Sequence, residues 1–169
     1  MTPTHTAALN VARESFAMLR TAVDGLPIEA ADWTPAPDTN SLDVLASHCI
    51  TSARFWFGCG SGVRASATGY QRGERAPSFE TRGKGGAELT AMIDAFQPEL
   101  MAILEAGTEA DLDVTVDWPG EQTDMAVRSG RECLFHAVAH LREHVGQAQL
   151  MRDVWLARNP GLPRAVRVT

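Results

Sequence analysis

Leu134-Phe-His136-Ala-Val-Ala-His140-Leu-Arg-Glu-His144-Val-Gly-Gln147 places three histidines one helical turn apart. Side chains four residues apart stack on one face of a helix about 6 Å from each other, so neighbouring members can grip one metal ion. Stepping roughly 100° per residue sorts the faces of this helix. Leu134, Val138, Leu141, Val145 and Ala148 form the core stripe, while Arg142, Glu143, Gln149 and Asp153 fall on the far side. His136, His140, His144, Gln147 and Met151 flank the core stripe, with His144 nearest its centre and His136 nearest the solvent edge. An ion inside the protein therefore favours His140 and His144. His136 stands ~12 Å from His144 along the axis, too far to share one ion easily.

The same periodicity extends this helix from about Ser129 to Leu156 and defines three more upstream. Leu9, Ala12, Phe16, Leu19, Val23 and Leu26 predict a first amphipathic helix that stops near Gly25 and Pro27. The prolines of the stretch from Asp32 to Ser41 mark a connecting loop, with Asn40 or Ser41 as N-cap of the next helix and Asp43 suiting its dipole. That second helix carries Leu42, Leu45, Cys49, Ser52 and Trp56 on one face and fades around Gly58 to Gly62. Residues 60–86, rich in Gly, Arg and Ser, read as a long surface loop holding at most a short helical turn, of the kind that covers a site. Leu89, Met92, Ile93, Phe96, Leu100, Ile103 and Leu104 predict a third helix, with a kink or a fresh start at Pro98. Asp111 to Asp117 alternates strictly and Trp118 to Glu121 resembles a turn, so a short extended excursion or hairpin precedes the last helix. The expected fold is all-α: one domain over residues 1–169, a four-helix bundle with inward-facing polar groups.

His48 extends the pattern across the bundle. It lies between Leu45 and Ser52 on one side and Val44 and Phe55 on the other, so it points inward. A buried imidazole needs a partner for each ring nitrogen, and metal on one with a hydrogen bond on the other meets that need. One inward histidine is ordinarily a hydrogen-bonded core residue, and a pair four apart arises by chance. The two stretches together, in a bundle, favour metal. Three histidine nitrogens leave room for water or substrate, the open arrangement of catalytic rather than structural sites. His5, near the terminus, is given no role. Gln147 follows the stripe by one turn and reads either as a donor behind the ligands or as a solvated polar residue. Gly146 indicates close approach of another element or an exposed position.

Other features exclude more than they support. The 169 residues carry a net charge of −6, which argues against a nucleic-acid or anionic-membrane surface. No apolar run approaches a membrane span, and Met1-Thr-Pro-Thr-His5 lacks the regions of a secretion signal, so a cytoplasmic protein is expected. Three cysteines without a CxxC pair favour free thiols, Cys49 and Cys133 in the core and Cys59 in a loop, with a thiolate ligand at Cys133 the lesser reading. Gly83-Lys-Gly-Gly86 resembles a phosphate cradle only superficially, and no nucleophile elbow is present. Glu132 lacks the second Glu-x-x-His motif of a di-iron site. Arg64, Arg72, Arg75 and Arg82 read as a solvated loop that can also meet an acidic substrate.

Trp33-Thr-Pro-Ala-Pro-Asp-Thr-Asn-Ser41 leading to Leu45-Ala-Ser-His48, together with the run from Leu134 to Gln147, resembles the DinB/YfiT-like superfamily of metal-binding four-helix bundles. The resemblance implies a divalent metal, zinc or nickel, held by His48, His140 and His144 with water completing the shell. It also implies kinship with thiol S-transferases that use bacillithiol, mycothiol or glutathione as co-substrate, and a homodimer. The segment from Asp111 to Trp118 and the extra His136 depart from the family pattern. Thiol transfer to a small electrophile is thus the first expectation. A hydrolase using bound water and a non-catalytic metal-binding module are the alternatives, and no catalytic side chain is identified.

Overall fold

Thr2 starts the first helix by accepting the His5 backbone N–H on its side chain at 3.3 Å, with Pro3 in the first turn where its missing N–H costs nothing. The resulting α1 (Pro3–Val23) begins earlier than its apolar stripe indicated. The computed structural model describes residues 1–116 and 128–161. A short α2 (Ile28–Ala31) follows between the first helix and the Asp32–Ser41 loop, where the sequence assigned no element, and Ser41, not Asn40, caps α3 (Leu42–Gly60). A π-helical turn (Tyr70–Arg75) runs into α4 (Ala76–Ser78), and α5 (Gly86–Glu105) continues unbroken through Pro98. A 3-10 turn (Ala110–Asp113) leads to β1 (Thr115–Val116), which pairs antiparallel with β2 (Arg128–Ser129). The excursion before the last helix is therefore a two-residue ladder joined to a helical turn. The turn expected at Trp118 to Glu121 and the tail from residue 162 lie outside the described residues. Ser129 then opens α6 (Gly130–Arg158) with a capping box, its side chain taking the Glu132 N–H while the Glu132 carboxylate takes the Ser129 N–H at 2.7 Å. That is the work of Glu132, and it leaves no metal role for the residue.

The architecture is all-α, as the periodicity demanded. α1 packs on α5 and α6, and α3 packs on the same two, so the four long helices form a ring in the order α1, α6, α3, α5. Phe16, Leu19, Leu45, Leu89, Leu100 and Leu104 lie wholly inside, with Phe16 and Phe96 edge to face at 5.4 Å. The buried guanidinium of Arg152 on α6 donates to the carbonyls of Ala22 and Asp24, satisfying the end of α1.

The α3–α6 seam decides where the site sits, and Gly60 makes it close. A Cβ there would overlap the Leu134 side chain on α6. This contact carries α3 past Gly58, so Cys59 is buried in a helix rather than placed in a loop. Its thiol donates to the Cys133 sulfur, and that hydrogen bond, ahead of burial, pushes the Cys59 thiol far above its usual range. Burial alone pushes Cys49 up to about 12. All three thiols are free. His5 also has a part in this seam: its ring is fully buried against Gly107, with Thr2 Oγ1 at 2.8 Å on Nδ1 and the Gly60 carbonyl at 3.0 Å on Nε2. It ties the start of α1 to the end of α3.

Residues 61–85 are less solvated than their composition indicated. Arg64 folds back onto α3, paired with both Glu74 oxygens and lying 4.9 Å over the Phe55 ring, which stacks on the buried Tyr70 at 3.8 Å. The amides of Gly83 and Lys84 donate to the carboxylates of Asp32 and Asp43. The apparent phosphate cradle is thus occupied by the protein's own acids.

Candidate metal centre

His48 sits in the second turn of α3, 3% exposed, and faces α6 across the seam. His140 and His144, one turn apart on α6, meet it edge to face with ring centroids 5.1 Å away in each case. The three Nε2 atoms converge: His48 to His140 is 3.3 Å and His140 to His144 is 3.1 Å. Zn–N bonds of about 2.0–2.1 Å at tetrahedral angles put ligand nitrogens about 3.3 Å apart, and right-angled octahedral bonds of similar length put them at about 3.0 Å. The spacing in the protein matches both. His48, His140 and His144 can hold one metal ion, each offering one ligand atom within 4.8 Å of the others.

The outer ring nitrogens supply an independent test of fit. His144 Nδ1 lies 2.8 Å from Gln147 Oε1, an oxygen that can only accept, so the ring carries its proton on Nδ1 and turns a lone pair inward on Nε2. His140 Nδ1 is 3.2 Å from Ser52 Oγ, and Ser52 in turn is bonded to the buried Tyr70 phenol. His48 Nδ1 faces Ser78 Oγ at 3.4 Å, whose own proton goes to the Arg75 carbonyl at 2.6 Å. Each imidazole is therefore held from behind by an oxygen, the arrangement that fixes tautomer and ring angle at metal sites. Gln147 is an acceptor here, where the sequence left it either a donor behind the ligands or a solvated polar residue. A ligand histidine needs its outer proton received rather than supplied.

Electrostatics keep the lone pairs available. Burial, with electrostatic interaction with His140, His144 and Arg75 adding, lowers the His48 pKa to about 3. Burial, then His144, His136 and Arg75, lowers His140 to about 4. Both are neutral near pH 7 and present nitrogen rather than N–H to a cation. His136 stays out of the group, as its distance predicted. Its ring lies 4.4 Å from Trp56 and 5.5 Å from His140, beside the triad rather than within it. Cys133 is bonded to Cys59 and is not a member either.

A family model for the DinB superfamily matches residues 12–148, most of the chain and all three histidines. The chain belongs to the DinB superfamily. Comparison with curated proteins yields no match. Within this DinB domain the histidines were legible from spacing, whereas Ser52, Tyr70, Ser78 and Phe79 were not read as site residues. Ser52 is one turn from His48 on the same face, which was a usable signal. Ser78 and Phe79 carry none, because a non-periodic segment brings them to His48 from 30 residues away.

Proposed function

We propose that this DinB protein is a divalent-metal enzyme that transfers a low-molecular-weight thiol to a small electrophile. The observation that carries the reading is the convergence of three imidazole nitrogens from two helices at ligand spacing, each backed by an oxygen, with His140 and His144 only partly covered. Three protein ligands leave coordination positions for an outside group. A zinc or nickel ion bound there lowers the pKa of a coordinated thiol or water and favours its anion. His48, His140 and His144 orient that chemistry, and Ser78, Ser52 and Gln147 hold their rings. The thiol gives up its S–H proton to solvent, its sulfur bonds to the electrophilic carbon, and the leaving group departs with the bonding electron pair.

Other parts of the reading rest on weaker supports. Among the described residues no helix is long and apolar enough to cross a membrane, and with the acidic charge this supports a cytoplasmic protein working on small molecules rather than on nucleic acid or lipid. Phe135 and Leu150, both more than 60% exposed, share one stripe of α6 with the exposed Ala139 and Gly146, and this stripe supports pairing into a homodimer. Among the described residues, nothing lies within 4 Å of where a Cβ on Gly146 would stand.

Elemental analysis of purified protein and of His48→Ala tests the ligand assignment, with about one zinc or nickel per chain expected in the first and little in the second. A panel of thiols and electrophiles, with and without chelator, then tests the reaction. Full thiol transfer by metal-free protein would overturn the reading. Thiol-independent turnover would instead identify a hydrolase that uses bound water.

A further inference from the structure

The segment Arg75-Ala-Pro-Ser78-Phe79 converges on His48 through three side chains. Ser78 Oγ backs its Nδ1, the Phe79 ring lies 4.6 Å from its ring, and the Arg75 guanidinium lies 4.7 Å over Phe79. Those two ring contacts in series place the guanidinium within about 9.3 Å of the His48 ring. Arg75 is half-buried, yet among the described residues it makes no ion pair and no side-chain hydrogen bond. Other arginines are treated differently: Arg64 is clamped by Glu74, Arg54 by Glu99 and Arg20 by Asp94. A guanidinium held partly out of water with its fork unused needs an anion from elsewhere.

Among the described residues the site also lacks negative charge. The groups there that act on His48 and His140 are other histidines and Arg75, with no carboxylate among them. Three neutral imidazoles leave a bound dication uncompensated, and Arg75 adds to the excess. A ligand carrying a carboxylate relieves both.

From these contacts we infer that Arg75 is the carboxylate-recognition residue of this site, so that its ligand is an acid anion whose reacting end lies at His48, His140 and His144. The inference deepens the proposed function and rests on it for the reacting end alone. The Phe79 ring holds the guanidinium over its face, and the Arg75 carbonyl, bonded to Ser78, locks the same residue to the support of His48. A carboxylate can then be gripped by two parallel N–H bonds at a fixed offset from the metal-ligand nitrogens.

The test uses two thiols of matched length, 3-mercaptopropionate and 3-mercapto-1-propanol, titrated into zinc-loaded protein by calorimetry. Wild type is expected to prefer the acid by at least about tenfold, the discrimination that a charge-assisted hydrogen bond supplies. In Arg75→Gln the ratio falls to about one, and Arg75→Lys restores part of it. Equal affinities in wild type, or a preference that survives Arg75→Gln, would overturn the inference. A second arm needs no zinc: propionate added to metal-free protein is expected to shift the Arg75 Nε–Hε NMR resonance and the Phe79 ring signals. A shift there with no zinc uptake would remove the metal reading and keep the anion site. Silence at both residues would remove the anion site whatever the metal does.

Discussion

Replacing the two hydrogen-bond partners behind the α6 histidines should weaken metal binding unequally, because one partner is buried and the other is not. Ser52 is 2% exposed, so Ser52→Ala leaves the His140 Nδ1 proton facing a dry seam. Gln147 is exposed, and in Gln147→Met water can take over the proton of His144. Loss of such partners costs roughly 10–100-fold in metal affinity, and burial assigns Ser52→Ala to the upper end and Gln147→Met to the lower. At zinc about 1,000 times the wild-type Kd, binding stabilises the wild type by about 4.1 kcal/mol, and a hundredfold weaker site retains only about 1.4 kcal/mol. With roughly 2–4 °C per kcal/mol for a chain of this size, zinc should raise Tm by about 8–16 °C in wild type. The rise should be about 3–6 °C in Ser52→Ala, with Gln147→Met between them. Competition against a chromophoric chelator gives the affinities, and thermal unfolding with and without zinc gives the shifts. Wild-type zinc affinity in Ser52→Ala, or a larger loss in Gln147→Met, would refute the reasoning.

Metal-free protein should lose stability as pH falls. His48 and His140 have folded pKa values lowered to about 3 and about 4, so below about 6.5 the unfolded chain binds more protons and unfolding becomes progressively easier down to about pH 3. Asp43, raised to about 6 by burial, acts in the opposite sense between about 3.8 and 6, but one carboxyl does not outweigh two imidazoles. Urea midpoints at pH 7.5 and 5.0 check the direction, and a higher midpoint at pH 5.0 would contradict it. Gly60→Ala should destabilise the bundle by about 1–3 kcal/mol despite alanine's better helix propensity, because the new Cβ overlaps Leu134 and lies 2.9 Å from the Gly130 carbonyl oxygen. Urea unfolding that shows a gain would disprove the tight seam. His5→Leu removes both buried bonds and strands the Gly60 carbonyl, so a loss of roughly 1–3 kcal/mol is expected in the same assay.

The four long helices were legible in sequence because each buries one stripe, and a stripe fixes period and face without reference to any partner. The start of α6 near Ser129 was legible from the same periodicity, while its capping box with Glu132 was not read. The inward direction of His48, His140 and His144 followed too, since direction on a helix depends only on position relative to its apolar neighbours. Helix α3 outlasted its local signals because Gly60, read with Gly58 as a terminator, is required by contact with α6. For the same reason Cys59 was misplaced and His5 was overlooked: each is held by residues distant in the chain.

Sequence alone thus determined an all-α bundle and which histidines face its interior, because amphipathic periodicity is a property of each segment by itself. Tertiary packing decided that their nitrogens meet at 3.1 and 3.3 Å, that Gln147 accepts rather than donates, and that Ser52, Ser78 and Arg75 belong to the site. Those facts depend on how α3, α6 and residues 70–79 sit against one another. Close packing across a seam fixes that to fractions of an ångström, a precision that no local pattern encodes.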